Sequence, residues 1–290
     1  MRTIQVRAPA KLNLFLDILG LRPDGYHDLE TLFLPYFEIH DTLEIIRGDA
    51  WSETSAGLFA RYSGAQLAQA ISPDGKVMIT LARAEGVDWD PCKDLTYNAY
   101  YLLAADFDLP PVKIFLEKTS PVGAGLGGGS ADAAFALRML DSLAGLGLSE
   151  AQLAAYAARL GSDCAFFVWN RPMLGEGRGE VLTPFPGLPE GYRVAITVPE
   201  GISVSTAEAY RGIRPRENAD RPLPLKEVLA RPVEQWKYLL VNDFEESVFS
   251  LHPALAQAKQ QLYDRGAVYA AMSGSGSALF GIFRSDTEMN

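Results

Sequence analysis

The densest chemical signal in the chain is the run Pro121-Val122-Gly123-Ala124-Gly125-Leu126-Gly127-Gly128-Gly129-Ser130, followed by Ala131 and an alanine-rich stretch to Leu143. Its five glycines let the main chain approach a ligand closely and turn through positive φ. Ala131 to Leu143 reads as a helix, and Val112 to Glu117 alternates as a strand, so the order is strand, glycine loop, helix. Such a loop gathers backbone N–H groups and the positive end of a helix dipole, which together cradle phosphate oxygens. Ser130 adds a hydroxyl able to donate to phosphate or to ligate Mg²⁺. The plain alternative is a flexible turn packed against a strand, and the density of glycine argues against it.

Two other phosphate-binding patterns fit less well. Gly123-x-Gly125-x-x-Gly128 meets the spacing of a dinucleotide fingerprint, with Glu150 near the place of a ribose-binding acid. The preceding chain lacks the alternating strands and helices that fold requires, and Glu150 opens a helix of its own. No Lys-Ser or Lys-Thr follows Gly128 or Gly129, so the run is not a P-loop and its lysine is supplied elsewhere or not at all.

Along Lys11-Leu12-Asn13-Leu14-Phe15-Leu16 the leucines share one face of a strand and Lys11, Asn13 and Phe15 the other, which sets two polar groups side by side. Gly20 and Asp24-Gly25 mark a turn before Tyr26 and His27. Leu153, Tyr156, Ala157 and Leu160 follow helical spacing to a stop at Gly161, after which Ser162 is placed to cap a new helix. Asp163, taken alone, is a first-turn acid favourable to that helix's dipole. Cys164 beside it reads as a packing thiol, with no histidine near it in sequence.

The elements that must carry these residues are legible in outline. Thr42 to Arg47 reads as a strand, and Leu95 to Ala105 as a helix. From Gly48 to Cys92 the signals are weak: a turn at Ser72-Pro73-Asp74-Gly75 and a short strand at Val77 to Ile79. Asn170 through Gly187 is rich in Gly and Pro, which suits either a lobe boundary or two edge strands about a turn. A strand at Tyr192 to Val198, helices including Pro253 to Arg265, and a last strand at Ala278 to Phe283 describe a second α+β lobe. The expectation is a two-lobed α+β protein with lobes at 1–170 and 171–290.

The chain has 290 residues, 48% hydrophobic and 21% charged, enough for a sizeable core. Its net charge of −10 opposes a general role in gripping nucleic acid, so an anionic ligand must be held locally. Cys92 and Cys164, the only cysteines, read as reduced thiols. The first residues lack an apolar leader core, and no stretch approaches the roughly 20 apolar residues of a membrane span. The expected compartment is the cytoplasm, with no membrane partner.

Three segments together resemble one superfamily, that of galactokinase, homoserine kinase, mevalonate kinase and phosphomevalonate kinase. They are Ala8-Pro9-Ala10-Lys11-Leu12-Asn13-Leu14, the glycine loop with Ser130-Ala131-Asp132-Ala133-Ala134, and Gly161-Ser162-Asp163. Arg22-Pro23-Asp24-Gly25-Tyr26-His27, Gly175-x-Gly177-Arg178-Gly179-Glu180, Asn242-Asp243-Phe244-Glu245 and Ser273-Gly274-Ser275-Gly276-Ser277 narrow it further. The narrower match is to the branch that phosphorylates the 2-hydroxyl of a cytidine-diphosphate-linked polyol in non-mevalonate isoprenoid synthesis.

The resemblance implies the GHMP kinase fold: an N-terminal lobe like the second domain of ribosomal protein S5 and a ferredoxin-like C-terminal α/β sandwich. It implies ATP over Pro121 to Ala131, Mg²⁺ with Ser130 as a candidate ligand, and Asp163 as catalytic base with Lys11 as its partner. The substrate residues it implies are Asn13, Tyr26, His27, Tyr210 and Arg178, around a small cytidine diphosphate compound. Asn242 to Glu245 is expected as a helix cap and lobe contact, and the protein as a monomer or weak homodimer. Two departures stand out. Asp94-Leu95-Thr96-Tyr97 occupies a place where relatives often carry an adenine-binding Asn, and the chain ends at Asn290, where relatives commonly continue through a helix and strand.

A different polyol kinase of the superfamily, a non-catalytic nucleotide-binding module and a dinucleotide-dependent oxidoreductase are the competing readings. Retention of both Lys11 and Asp163 argues against the second.

Overall fold

Alternation of branched and aromatic residues extends well beyond Lys11–Leu16 on both sides, and the strand it forms, β1, runs Gln5–Leu21. The computed structural model describes residues 5–213 and 223–286. The first four residues, read above for a leader, and the last four lie outside them.

After β1 come β2 (His27–Arg47), α1 (Glu53–Arg61), β3 (Leu67–Ile71), β4 (Val77–Arg83), α2 (Leu95–Ala104), β5 (Val112–Lys118) and α3 (Gly128–Ala144). They are followed by α4 (Glu150–Leu160), α5 (Cys164–Trp169), β6 (Met173–Glu176), β7 (Val181–Pro184), β8 (Tyr192–Thr197) and α6 (Thr206–Arg211). The last are α7 (Leu225–Leu229), α8 (Val233–Trp236), α9 (Phe244–Leu251), α10 (Pro253–Asp264), β9 (Tyr269–Met272) and β10 (Leu279–Arg284). Contacts group the chain into one unit of residues 1–10, 35–122 and 127–171, and a second of residues 11–34, 123–126 and 172–290.

In the first unit β3 pairs antiparallel with β4, β4 runs parallel to β5, and β5 pairs antiparallel with the Thr42–Arg47 end of β2. The parallel β4–β5 pair needs a crossover, and α2 lies within it. α3 packs against α2, α4 and α5. Its buried positions are Ala131, Ala133, Ala134, Ala136, Leu137 and Leu140 with Asp132, so small side chains let the neighbouring helices approach closely. Cys164 to Val168 of α5 are all buried, the pattern of a helix apolar all round and enclosed. Each buried Phe or Leu there contributes about 1.5–3 kcal/mol.

In the second unit β8, β10 and β9 form an antiparallel sheet, in register Leu279↔Thr197 and Leu279↔Met272. A core of Leu16, Ile18, Leu29, Phe244, Val248, Leu255, Leu262, Met272 and Phe283 fills this unit. The Gly/Pro-rich stretch after Arg171 is a hairpin: β6 pairs β7, and Thr31–Phe33 of β2 pairs β6. Ser162 does not cap α5. The N-cap is Asp163, in helical conformation and without a side-chain cap bond, because the chain enters the helix one residue later than the serine reading required.

Candidate active site

β1 carries Lys11 and Asn13 on one face, as the alternation predicts, but each is only 3% exposed. A buried ammonium must find partners inside the protein. Lys11 Nζ donates to Asn13 Oδ1 and lies 5.7 Å from the centroid of the Phe33 ring. Asn13 Nδ2 donates to Thr31 Oγ1 at 2.9 Å, and the Asn13 backbone N–H donates to Ser273 Oγ at 3.2 Å. The Lys11 backbone N–H donates to the Leu126 carbonyl at 2.9 Å, which bonds this strand directly to the glycine loop.

A second support for the loop comes from the Ser/Gly run. Ser273 Oγ donates to the Gly125 carbonyl at 3.2 Å, and the Ala278 N–H donates to the Ala124 carbonyl at 3.0 Å. Gly125 has φ of 76°, and a Cβ there would sit 2.2 Å from the Ser273 carbonyl oxygen, so only glycine fits. Asn242 holds this run in turn: its Nδ2 donates to the carbonyls of Met272 at 2.7 Å and Gly274 at 2.8 Å. Asp243 Oδ2 accepts from the Ile18 N–H at 2.7 Å and Glu245 Oε1 from the Met272 N–H at 2.8 Å. The Asn242–Glu245 motif therefore ties β1, β9 and the start of α9 together.

Tyr26, His27, Arg178 and Tyr210 belong to the same unit as Lys11 and Asn13. Arg22 and Gly25 close the turn before Tyr26, the Arg22 N–H donating to the Tyr26 carbonyl at 2.7 Å. The His27 and Tyr210 rings stack at 4.8 Å between centroids with planes 24° apart, and Phe244 meets Tyr210 edge-on at 4.8 Å. The Arg178 guanidinium sits 4.7 Å above the exposed Tyr26 ring and 3.7 Å from Glu180 Oε1. His27 and Tyr210 thus form an aromatic pair, and Tyr26 and Arg178 a cation–π pair.

The remaining predicted residues, Pro121, Val122, Gly127 to Ala131 and Asp163, belong to the first unit. α3 begins at Gly128 behind the left-handed N-cap Gly127, which makes no side-chain cap bond. Its opening N–H groups have no intrahelical acceptor, which is the condition for taking an anion. A Cβ on Gly161 would lie 3.2 Å from Cys164 Sγ and 4.0 Å from Ser130 Oγ, so the first turn of α3 and the Gly161-Ser162-Asp163 turn are neighbours. Burial pushes the Cys164 thiol up to about 12, so the thiol beside Asp163 stays protonated and inert.

Sequence reasoning missed the buried charges beneath this helix end. Lys118 Nζ bonds Asp132 Oδ2 at 2.6 Å and Asp41 Oδ2 more closely still. Asp41 Oδ1 also accepts from the N–H groups of Thr119 at 2.7 Å and Ser120 at 2.8 Å. A Cβ on Gly128 would fall 2.5 Å from Ser120 Oγ and 3.4 Å from Lys118 Nζ, so α3 starts in contact with the cluster. Burial works against the Lys118 ammonium, but Asp132 and Asp41 outweigh it and hold it above the ordinary lysine value. Burial pushes the Asp132 carboxyl well up despite Lys118, with Asp41 adding to the rise. Lys118 precedes the glycine loop and Asp132 follows it, so their bridge ties the two ends of that segment. Asp94, at the departure noted in the sequence, caps α2, accepting from the Thr96 N–H at 2.9 Å and from Trp89 Nε1 at 3.1 Å.

The GHMP kinases N terminal domain family matches residues 94–171 and the GHMP kinases C terminal family residues 226–290. A 4-diphosphocytidyl-2-C-methyl-D-erythritol kinase of Bacteroides thetaiotaomicron is 44% identical over 274 residues, covering 94% of this chain and 90% of that protein. The chain belongs to this family of GHMP kinases. A relative of the same name from Geobacillus kaustophilus is 34% identical over 292 residues, covering 99% of this chain and 90% of that one.

Among solved structures, a 4-(cytidine 5'-diphospho)-2C-methyl-D-erythritol kinase aligns with a TM-score of 0.69 at 32% identity, over 96% of this chain and 89% of that one. A homoserine kinase from Cytophaga hutchinsonii aligns with a TM-score of 0.66 at 17% identity, over 99% and 86%, and shares the fold. GHMP kinases are ATP-dependent phosphotransferases, so this chain is a kinase that acts on a small molecule. No helix among the described residues is long and apolar enough to cross a membrane.

Proposed function

We propose that this kinase transfers the γ-phosphoryl group of ATP to the 2-hydroxyl of 4-(cytidine 5'-diphospho)-2-C-methyl-D-erythritol. The products are the 2-phosphate and ADP, a step in non-mevalonate isoprenoid precursor synthesis. The observation that carries this reading is the buried Lys11–Asn13 pair, on a strand bonded through the Lys11 N–H to Leu126 of the glycine loop. The reading is supported by a cation and an amide standing beside the glycine loop, in a chain 44% identical to a kinase of that name.

Pro121 to Ala131 bind the triphosphate through backbone N–H groups and the end of α3. Asp163 accepts the proton of the substrate hydroxyl, and Lys11 lowers the energy of charge developing at the transferred group. Asn13 holds the acceptor polyol. Tyr26, His27 and Tyr210 recognise cytosine by ring stacking and edge hydrogen bonds, and Arg178 faces the diphosphate.

No group of three or more His, Cys, Asp or Glu able to hold a metal ion occurs among the described residues. The proposed Mg²⁺ would be carried largely on the nucleotide phosphates, with the Ser130 hydroxyl as a protein ligand. Mg²⁺ there would supply neutralisation of phosphate charge. On this reading residues 1–170 form the ATP-binding and catalytic lobe, to which Asn13, Tyr26 and His27 also belong in sequence, and residues 171–290 the substrate-side lobe. We read the protein as a cytoplasmic monomer or weak homodimer that engages neither nucleic acid nor membrane.

The test is ADP release from ATP and Mg²⁺ with and without the cytidine diphosphate polyol, using Asp163→Ala and Lys11→Ala as controls. Release that needs both the substrate and each residue, with losses of at least about 10²-fold in the variants, supports the reading. No release from folded, ATP-binding protein overturns it, and near-native turnover in either variant removes that residue's role.

A further inference from the structure

Thr31 carries no role in the reaction as proposed, yet its hydroxyl decides how the Lys11–Asn13 pair is arranged. It lies on β2, with no exposed surface. Its Oγ1 donates to the Phe15 carbonyl at 2.6 Å and accepts from Asn13 Nδ2 at 2.9 Å. A hydroxyl has one proton. With that proton committed to a carbonyl, which can only accept, Oγ1 presents lone pairs alone to Asn13. The amide edge facing Thr31 must then be the NH₂ group, and the carbonyl oxygen must face the other way, where it accepts from Lys11 Nζ.

The reversed amide would set NH₂ against the Lys11 ammonium, donor against donor, and leave its oxygen opposite a hydroxyl with no proton to give. A Cβ on Gly274 would stand 3.2 Å from Asn13 Oδ1 and 3.4 Å from Lys11 Nζ, so that main chain walls one side, with the Phe33 ring 5.7 Å from the ammonium. The Asn13 backbone is fixed separately by Ser273 Oγ. The orientation of the amide is therefore the free variable, and Thr31 sets it.

We propose that Thr31 is a positioning residue for phosphoryl transfer, acting through the Asn13 amide to aim the Lys11 ammonium. The proposal rests on the kinase reading given above. Thr31→Val keeps the shape and removes the hydroxyl, leaving the Phe15 carbonyl and the Asn13 NH₂ without their partner. Displacing a reactive group by about 1 Å costs on the order of 10²-fold in rate, so kcat is expected to fall by about 10- to 100-fold. KM for ATP is expected to stay within about 2-fold, because the nucleotide is bound by other groups. Thr31→Ser restores the hydroxyl and returns kcat to within about 3-fold.

The cycle with Asn13→Ala separates positioning from general loosening: in that background Thr31→Val has no further effect on kcat. Thr31→Ala removes the same hydroxyl with space to spare and is read alongside, so a folding failure of one variant leaves the other. The activity-independent readout is the side-chain NH₂ of Asn13 by NMR in the full chain. It is protected from exchange in the wild type and in Thr31→Ser, and shifted and exchanging in the variants without a hydroxyl. Absence of wild-type turnover would strike at the kinase reading while the NMR arm still tests Thr31. Retention of more than half of kcat without the hydroxyl, equal losses with and without Asn13, or an unchanged Asn13 NH₂ signal would each overturn the proposal.

Discussion

Replacing Lys118 by methionine removes one charge from a site that water does not reach. The Lys118 side chain is 5% exposed, and its two carboxylate partners, Asp41 and Asp132, are 0% and 2% exposed. Asp41 keeps the N–H groups of Thr119 and Ser120 and the Ser120 hydroxyl at 2.6 Å. Asp132 keeps nothing: its Oδ2 bonded Lys118, and its Oδ1 has no hydrogen-bond partner. The penalty therefore concentrates on Asp132, and leaving one buried charge unpaired costs about 3–5 kcal/mol.

The penalty depends on pH with a definite sign. Burial already raises the Asp132 carboxyl in the wild type, and Lys118 is the first force that opposes the rise. Without Lys118 the folded form holds that proton more tightly still. A carboxyl raised in the folded state contributes most at low pH and loses that contribution as pH climbs from the unfolded value, about 3.9, through the folded one. The deficit of Lys118→Met relative to wild type should thus be larger at pH 8 than at pH 5. Adding Asp132→Asn removes the charge, recovers at least about 1 kcal/mol, and flattens the pH dependence.

Urea denaturation followed by tryptophan fluorescence at both pH values measures all three variants. A loss below about 1 kcal/mol in Lys118→Met, or strict additivity with Asp132→Asn, would refute the reasoning. Because the Lys118–Asp132 bridge ties the ends of the glycine loop, KM for ATP should rise in Lys118→Met even where the protein is fully folded.

Gly125→Ala puts a methyl 2.2 Å from the Ser273 carbonyl at a φ of 76°, so turnover should fall at least about 10-fold with a lowered melting temperature; native behaviour of the variant would mean that the Ser273 segment moves freely. Cys164 is buried with its thiol raised to about 12, while Cys92 is half-buried. A thiol reagent should accordingly titrate at most Cys92 in the native protein and both cysteines in urea, and rapid native labelling of Cys164 would contradict its burial. Tyr210→Ala removes the ring stacked on His27 and should raise KM for the cytidine substrate by about 3- to 10-fold, the worth of one aromatic stack, with KM for ATP unchanged.

Local order was legible and long-range order was not. The strand over Lys11–Leu16, the helix after the glycines and the helix ending at Leu160 follow from periodicity alone, because period 2 and period 3.6 are written in neighbouring residues. The weak stretch from Gly48 to Cys92 hid α1 and β3, whose polar faces blur the alternation: in β3 only half-buried and exposed positions occur. β9 was missed because four residues, Tyr269–Met272, give too short a run to show a period. The supports of the site span still greater distances. Asp41 meets Lys118 across 77 residues, and Asn13 meets Ser273 across 260. No spacing rule reaches that far.

The two buried lysines among the described residues make the point sharpest. A lysine in an alternating strand reads as solvated, since long charged side chains are seldom enclosed. Lys11 and Lys118 occupy such positions on β1 and β5, and both are enclosed, at 3% and 6% exposure. Enclosing an ammonium is tolerable only where oxygen acceptors meet it, and each lysine has them: Asn13 for one, Asp41 and Asp132 for the other. Each also borders the glycine run, Lys11 through its bond to Leu126 and Lys118 beside Gly128. Their surroundings assign the two lysines different work. Lys118 is neutralised by two carboxylates and can only hold structure. Lys11 is met by the Asn13 amide oxygen on a strand bonded to the glycine loop, where the proposed phosphoryl transfer draws on it.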